Sequence, residues 1–152
     1  YAILCSDWSS DVCSSDLVPR RLGYVFQEDR LCDNFSAVAN IRLVTGRTLP
    51  EKAILQHLEE LGLSDSVRLP VSQLSGGMRR RVAIARAVCC GPELLLLDEA
   101  FKGLDEQCRR DTAAYIRRHT AGASVLCVTH DPEEATLLGG RCIDLAALQR
   151  RD

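Results

Sequence analysis

Residues 92–99 read PELLLLDE, a run of four leucines followed by two carboxylates. An unbroken apolar run of this length is typical of a strand that is buried on both faces in a parallel sheet. Such a strand would carry Asp98 and Glu99 to the carboxyl end of the sheet. The sequence therefore predicts a central strand with acidic chemistry at its end.

Strands and helices alternate on both sides of this run. Further strands are predicted at residues 21–26 (RLGYVF), 124–131 (SVLCVTHD) and 142–145 (CIDL). Helical patterns cover residues 36–44, 50–62, 105–119 and 132–140, and one more helix begins in LSGGMRRRVAIARAV (residues 74–88). This alternation indicates an α/β fold with a mainly parallel sheet. Right-handed crossovers would then bring Asp98, Glu99 and His130 to one edge.

Composition narrows the classes of protein that are possible. A chain of 152 residues has room for one domain with a sizeable core. Its formal net charge of −2 argues against a nucleic-acid-binding surface. Eight cysteines are present without any Cys-x-x-Cys pair, which favours reduced thiols acting as small apolar side chains over disulfides or a metal site.

The adjacent carboxylates can divide two tasks between them. One can hold the water shell of a Mg²⁺ ion while the other polarises an attacking water. A helix cap or a solvated acidic pair is the structural alternative. His130, at the end of another predicted strand, could donate to a phosphate oxygen, and the alternative is a purely structural histidine.

The LSGGM segment (residues 74–78) predicts a helix start that can bind an anion. Ser75 is a suitable N-cap, and Gly76 and Gly77 would expose backbone N–H groups where the helix dipole is positive. An ordinary glycine-rich helix start is the alternative.

Four segments occur together in one order: Gln27 after YVF, then LSGGMRRRVAIARA, LLLLDEAFKGLDE and VTHD. This combination resembles the nucleotide-binding subunit of an ATP-binding cassette (ABC) transporter, over about residues 20–145. The resemblance implies a P-loop NTPase-like core and a small helical subdomain at about residues 34–72 that touches the membrane subunits. The segments VFQEDRL and DEAFKGLDE resemble those of importers of the nitrate, sulfonate and taurine type.

The resemblance also implies ATP and Mg²⁺ as cofactors and a role for each motif residue. Glu99 would be the catalytic base, His130 the switch histidine, and Gln27 the Q-loop residue that senses Mg²⁺ and the attacking water. Asp98 would be the Walker B aspartate that binds the metal, and Asp105 would belong to the nucleotide-binding D-loop. Ser75, Gly76 and Gly77 would close on the γ-phosphate of a nucleotide held by a partner subunit.

The chain departs from the family pattern in two places. Ala100 follows Glu99 where the family usually has proline, and we expect only a mild backbone effect. The phosphate-binding loop G-x-x-x-x-G-K-[ST] is missing, because no Gly-Lys pair occurs and no glycine precedes Gly23. We therefore expect the chain to lack the N-terminal strands and the loop of this fold and to be inactive alone.

Residues 8–17 (WSSDVCSSDL) resemble the translation of a common sequencing-adapter oligonucleotide. We expect residues 1–17 to be a non-native segment and residues 18–152 to form a partial ABC ATPase domain. A natural serine-rich linker is the alternative.

The resemblance implies an ATP-binding subunit that couples ATP hydrolysis to transport across the membrane, in the direction of import. Its partners would be permease subunits and a second nucleotide-binding subunit, with no nucleic acid, at the cytoplasmic face of the cell membrane. One alternative is a soluble ABC ATPase that serves translation or DNA repair. A second is a non-catalytic remnant that binds partner subunits. The short interval between Gln27 and Leu74 leaves no room for a long coiled coil, and no second cassette is present, which favours the transporter.

Overall fold

The computed structural model describes residues 2–5 and 21–143. The strands of this part are β1 (Ala2–Cys5), β2 (Leu22–Val25), β3 (Leu94–Asp98), β4 (Ser124–Val128) and β5 (Arg141–Ile143). The helices are α1 (Ala37–Thr45), α2 (Glu51–Glu60), α3 (Gly76–Cys89), α4 (Glu106–His119) and α5 (Pro132–Leu138), with short 3₁₀ turns at Ser64–Ser66 and Val71–Gln73. The predicted alternation of strands and helices is confirmed.

The sheet has five strands in the order β2-β3-β4-β1-β5 within the described residues. Strands β2, β3 and β4 are mutually parallel, whereas β1 is antiparallel to both β4 and β5. Strand β5 therefore points the same way as β4, and β1 alone is reversed. The mainly parallel sheet is confirmed, with β1 as a strand that the sequence patterns do not predict. Most of the segment expected to be non-native, residues 6–17, lies outside the described residues, as does residue 1.

One face of the parallel strands is much better buried than the other. Leu95 and Leu97 on β3 are fully buried, and a side chain on Gly23 of β2 would lie 2.7 Å from the carbonyl oxygen of Ala87, so α3 packs directly on this face. On the opposite face Leu94 and Leu96 are only half-buried. The prediction of burial on both faces is therefore wrong for the described part of the chain, because helix packing covers the Leu95 face more completely.

Four of the described helices begin at a side-chain cap. In three of them the capping oxygen accepts the backbone N–H three residues later: Ser36 from Ala39 at 3.2 Å, Ser75 from Met78 at 3.3 Å and Asp105 from Cys108 at 2.8 Å. A cap of this kind contributes about 1 kcal/mol. The N-caps expected at Ser36 and Ser75 are thus present.

Residues 34–72 form a helical segment on one side of the sheet. Helices α1 and α2 both pack against α3, which in turn packs against β2. Ile54 and Leu58 of α2 are fully buried, and a backbone bridge joins Ser36 to Pro70 across the two ends of the segment. Within the part of the chain that the structure describes, no helix has the length and apolarity needed to cross a membrane.

The cysteines of the described residues occupy different environments. Free thiols in this part of the chain include Cys32, Cys89, Cys90, Cys108 and Cys142. Cys127 is fully buried in the core, and burial raises the pKa of Cys89 to about 12, so Cys89 behaves as a small apolar group. Cys32 and Cys142 are exposed and take no part in the core.

Candidate functional site

Glu99 occupies a sharp turn directly after β3. Its backbone N–H donates to the carbonyl oxygen of Val128 on β4 at 2.9 Å. Its φ angle is 49°, in the left-handed region that residues other than glycine rarely adopt. A strained backbone conformation of this kind persists only where the surrounding structure fixes it. The turn directs the carboxylate away from the line of the strand.

His130 lies beside this carboxylate. It follows β4, the neighbour of β3, and its Nε2 is 3.3 Å from Oε1 of Glu99. The His130 side chain is 92% exposed and that of Glu99 is 21% exposed, so the imidazole can turn toward a ligand while the carboxylate is more firmly held. The structure thus brings together two residues that the sequence predicted at one sheet edge.

Asp98 ends β3 at the same edge. It is half-buried and lies in register with Val128 of β4. Ala100 and Phe101, which follow the carboxylates, are almost fully buried and anchor the turn. Alanine in place of the family's proline therefore leaves Asp98 and Glu99 at the sheet edge.

Gln27 shares a cleft of about 490 Å³ with the glycines at the start of α3. The cleft is lined by Gln27, Glu28, Asp29, Gly76, Gly77, Arg80, Lys102 and Gly103. A Cβ atom on Gly76 would meet nothing within 4 Å, whereas one on Gly77 would lie 3.4 Å from the carbonyl oxygen of Gly103. The helix mouth is therefore open at Gly76, and another molecule could approach its backbone there.

Asp105 has a local partner in this structure. Its Oδ1 accepts the N–H of Cys108 as the N-cap of α4, and its side chain is exposed. The same residue therefore starts the helix that follows the carboxylate turn. Its role in binding nucleotide as part of the D-loop stays a prediction.

Arg80 belongs to the site, although the sequence analysis did not single it out. A run of three arginines, residues 79–81, is typical of a solvated helix face, yet Arg80 is only 7% exposed. Its guanidinium donates to the carbonyl oxygens of Phe26 at 2.7 Å and Gln27 at 2.5 Å. The sequence feature that could have identified Arg80 as buried is helical spacing, which places it on the buried face of α3 with Ala83, Ile84 and Ala87.

A second group of polar residues stabilises the loop that carries His130. Asp131 accepts a hydrogen bond from Arg109 at 2.8 Å and caps α5 through the N–H of Glu133 at 2.9 Å. Glu134 is only 6% exposed, and burial raises its pKa, an effect that a hydrogen bond with Thr129 opposes. The loop that carries His130 therefore rests on a buried carboxyl group.

Comparison with known proteins identifies the family. The profile of the family described as "ABC transporter" matches residues 4–102.

The chain belongs to the ABC transporter family.

The predicted family resemblance is thereby confirmed, and similar curated ABC proteins carry importer names. The chain is 41% identical over 145 residues to a "Sulfate/thiosulfate import ATP-binding protein CysA" of Caulobacter vibrioides, a match that covers 86% of this chain and 42% of that protein. It is 44% identical over 130 residues to "Aliphatic sulfonates import ATP-binding protein SsuB 3" of Nocardia farcinica, covering 84% and 52%. The chain thus spans about half or less of the length of these ABC relatives.

Solved ABC structures share the fold. The dimeric structure of MJ0796, a bacterial ABC transporter cassette, matches with a TM-score of 0.69 and 28% identity, covering 77% of this chain and 55% of that one. A dimeric post-hydrolysis state of the same cassette, bound to ADP and Pi, matches equally well. The predicted ABC ATPase fold class is therefore confirmed.

Proposed function

We propose that this chain is part of the ATP-binding subunit of an ABC importer, in which ATP hydrolysis drives transport across the membrane. The observation that carries the proposal is the 3.3 Å approach of His130 Nε2 to Glu99 Oε1 at the carboxyl edge of a parallel sheet. A base and an exposed imidazole at this edge suit the hydrolysis of the β–γ phosphoanhydride bond of ATP. The names of the similar import ATP-binding proteins support the same reading.

Glu99 acts as the general base in this proposal. Its carboxylate accepts a proton from the attacking water, and Gln27 orients that water. When His130 carries its proton on Nε2, it can donate to Glu99 or turn to a phosphate oxygen, since its side chain is almost fully exposed. Apart from the proton that Glu99 accepts, these groups position and polarise the reactants, which is the main demand of phosphoryl transfer.

The donor set fits Mg²⁺ bound together with ATP. Asp98 at the strand end and Gln27 in the cleft offer oxygen atoms, which Mg²⁺ prefers. The described residues hold no group of three or more histidine, cysteine, aspartate or glutamate side chains arranged for a metal. This composition suits an ion that takes its remaining ligands from phosphate oxygens and water. When bound, the ion would neutralise charge on the phosphates.

The signature residues serve a partner subunit. Gly76 and Gly77 line an open cleft, and in a dimer they and Ser75 would bind the γ-phosphate of a nucleotide held by the second nucleotide-binding subunit. Asp105 would contribute from the same side as part of the D-loop. The dimeric state of the similar MJ0796 cassette supports this assignment.

The helical segment, residues 34–72, is the proposed contact with permease subunits. It exposes Phe35, Leu43, Val44 and Leu69, which are apolar side chains suited to a protein partner. Through this contact the chain would sit peripherally at the cytoplasmic face of the cell membrane.

The missing Gly-Lys pair favours a second candidate. Without the loop lysine and its backbone donors, this chain would bind partner subunits and complete their sites without turnover of its own. The hydrolysing importer subunit and the non-catalytic subunit both use the signature cleft. They differ in whether a phosphate loop is present.

Association with a complete subunit tests the signature role. The 152-residue chain is mixed with an importer ATPase subunit whose base is changed to glutamine, and MgATP-dependent association is measured by sedimentation. We expect the unmodified chain to associate with the complete subunit. The Gly76→Asp variant should not associate, because the added carboxylate repels the γ-phosphate. Gly76→Ala is the matched control, since its Cβ would meet nothing within 4 Å.

An aspartate in the first turn also favours the helix dipole, so loss of association in Gly76→Asp cannot be assigned to a weakened helix. Association of equal strength in Gly76→Asp and the unmodified chain would contradict the signature role.

A further inference from the structure

Arginines of α3 hold the start of the loop that carries Gln27, and Asn40 of α1 holds it further on, at Cys32, with hydrogen bonds of 2.8 and 3.2 Å. We define the Q-loop segment as residues 26–33. We find three contacts from Arg80 of α3: hydrogen bonds to the carbonyl oxygens of Phe26 at 2.7 Å and Gln27 at 2.5 Å, and an ion pair with Oδ1 of Asp29 at 3.2 Å. A guanidinium presents its donors in a fixed planar fork, so three contacts from one side chain fix the loop in position and orientation.

Two more arginines of α3 contact other residues of the Q-loop segment. Arg79 pairs with Asp33 at 2.8 Å, and Arg86 donates to the carbonyl oxygens of Arg30 at 2.8 Å and Asp29 at 3.1 Å. Both of these side chains are more accessible than that of Arg80, which is almost fully buried. Arg80 is therefore the contact best protected from exchange with water.

Arg80 also lies one helical turn beyond Gly76. The first turn of α3 lines the cleft with Gly76 and Gly77, and the backbone of Gln27 is bonded to the second turn. The path from the signature glycines to Gln27 is thus a single rigid turn of helix and one guanidinium. A displacement of α3 must carry the Gln27 backbone with it.

We propose that Arg80 is a positioning residue that couples the Q-loop segment to the signature helix, so that Gln27 moves with Gly76 and Gly77 as one unit. The functional meaning rests on the proposed function, because Gln27 and the signature glycines receive their roles there. The mechanical coupling is a property of this chain and needs no nucleotide. Through this coupling, a nucleotide that the partner subunit holds against Gly76 and Gly77 would also set the position of Gln27 in this chain's own site.

Backbone dynamics of the 152-residue chain test the coupling. NMR order parameters of residues 27–30 are compared in the unmodified chain, Arg80→Gln and Arg80→Lys. We expect values of about 0.85 in the unmodified chain and below about 0.6 in Arg80→Gln, since an amide can keep at most one of the three contacts. Arg80→Lys keeps the charge near Asp29 without the fork and should fall between the two.

Arg81→Gln is the matched control. Arg81 is the next residue of the same helix, but it donates to the carbonyl oxygens of Leu61 at 2.6 Å and Gly77 at 3.2 Å and not to the Q-loop segment. Loss of rigidity at residues 27–30 in Arg80→Gln but not in Arg81→Gln would support the coupling. Equal loss in both variants would mean a general loosening of α3 and would overturn it.

A second variant keeps the test decisive if Arg80→Gln fails to fold. Asp29→Asn leaves Arg80 in place and removes the negative charge of one of its three partners, so it should loosen residues 27–30 partially. Rigid residues 27–30 in both Asp29→Asn and Arg80→Lys would overturn the proposal. Failure of the proposed function is read separately, as absence of MgATP-dependent association of the unmodified chain.

Discussion

His130 Nε2 lies 3.3 Å from Glu99 Oε1, although a helix and a strand separate the two residues along the chain. The approach follows from the sheet. Strands β3 and β4 are parallel neighbours with Asp98 in register with Val128, so the residues that follow each strand meet at one edge. The left-handed turn at Glu99 then sets the direction of the carboxylate.

Removing the base should separate ATP binding from hydrolysis. In the chain completed with a phosphate loop, Glu99→Gln should lower the rate of phosphate release by about 10²–10⁴-fold and leave MgATP affinity nearly unchanged. The amide keeps the shape of the side chain and cannot accept the proton. Glu106→Gln, at an exposed carboxylate in the first turn of α4, is the control. Unchanged turnover in Glu99→Gln would remove this residue from the base role.

The 152-residue chain as it stands should not hydrolyse ATP, either alone or as a homodimer. It lacks the loop lysine and most of the backbone donors that hold the phosphates, and each lost charge-assisted contact is worth about 1.5–3 kcal/mol. Titration calorimetry with MgATP should give a Kd of about 1 mM or weaker. Micromolar binding, or turnover that disappears in Glu99→Gln, would mean that another segment replaces the phosphate loop.

Glu134 should make stability depend on pH. Burial raises its pKa above the ordinary value of 4.5, so over the interval between these two values the folded chain holds a proton that the unfolded chain has released. Its contribution therefore falls as pH rises from the ordinary to the raised pKa, and the loss persists above that interval.

Glu134→Gln should abolish this loss. Urea unfolding between about pH 4 and pH 8 should show a flatter profile for the variant than for the unmodified chain, with the variant the more stable at the upper end. Glu133→Gln, at the exposed neighbouring position, is the control. Parallel profiles for Glu134→Gln and the unmodified chain would show that Glu134 is ionised in the folded state without cost.

Gly23 should tolerate no side chain. A Cβ atom there would lie 2.7 Å from the carbonyl oxygen of Ala87 and 2.9 Å from a methyl group of Leu95. Gly23→Ala should therefore lower the free energy of unfolding by about 1–3 kcal/mol, since α3 and the sheet would have to separate. Urea unfolding measures the change, with Gly76→Ala as the open-site comparison. A loss of less than about 0.5 kcal/mol would mean that α3 shifts freely on the sheet.

The sequence alone determined the local structure and the family. Ser36 and Ser75 start their helices as caps, because the capping bond joins residues only three apart. Apolar runs and the placement of glycine and proline likewise predicted most strands and helices within a few residues, and the ordered motifs indicated an ABC domain.

Only the tertiary structure decided which residues meet across the fold. It placed Glu99 against His130, buried Arg80 within an arginine run, left one face of β3 half-covered, and inserted β1 between β4 and β5. These outcomes depend on contacts between residues far apart in the chain, and each is decided by which surfaces are desolvated when helices and strands pack. A helix pattern states that Arg80 shares a face with Ala83 and Ile84, but the carbonyl oxygens that compensate its buried charge come from a loop more than fifty residues earlier.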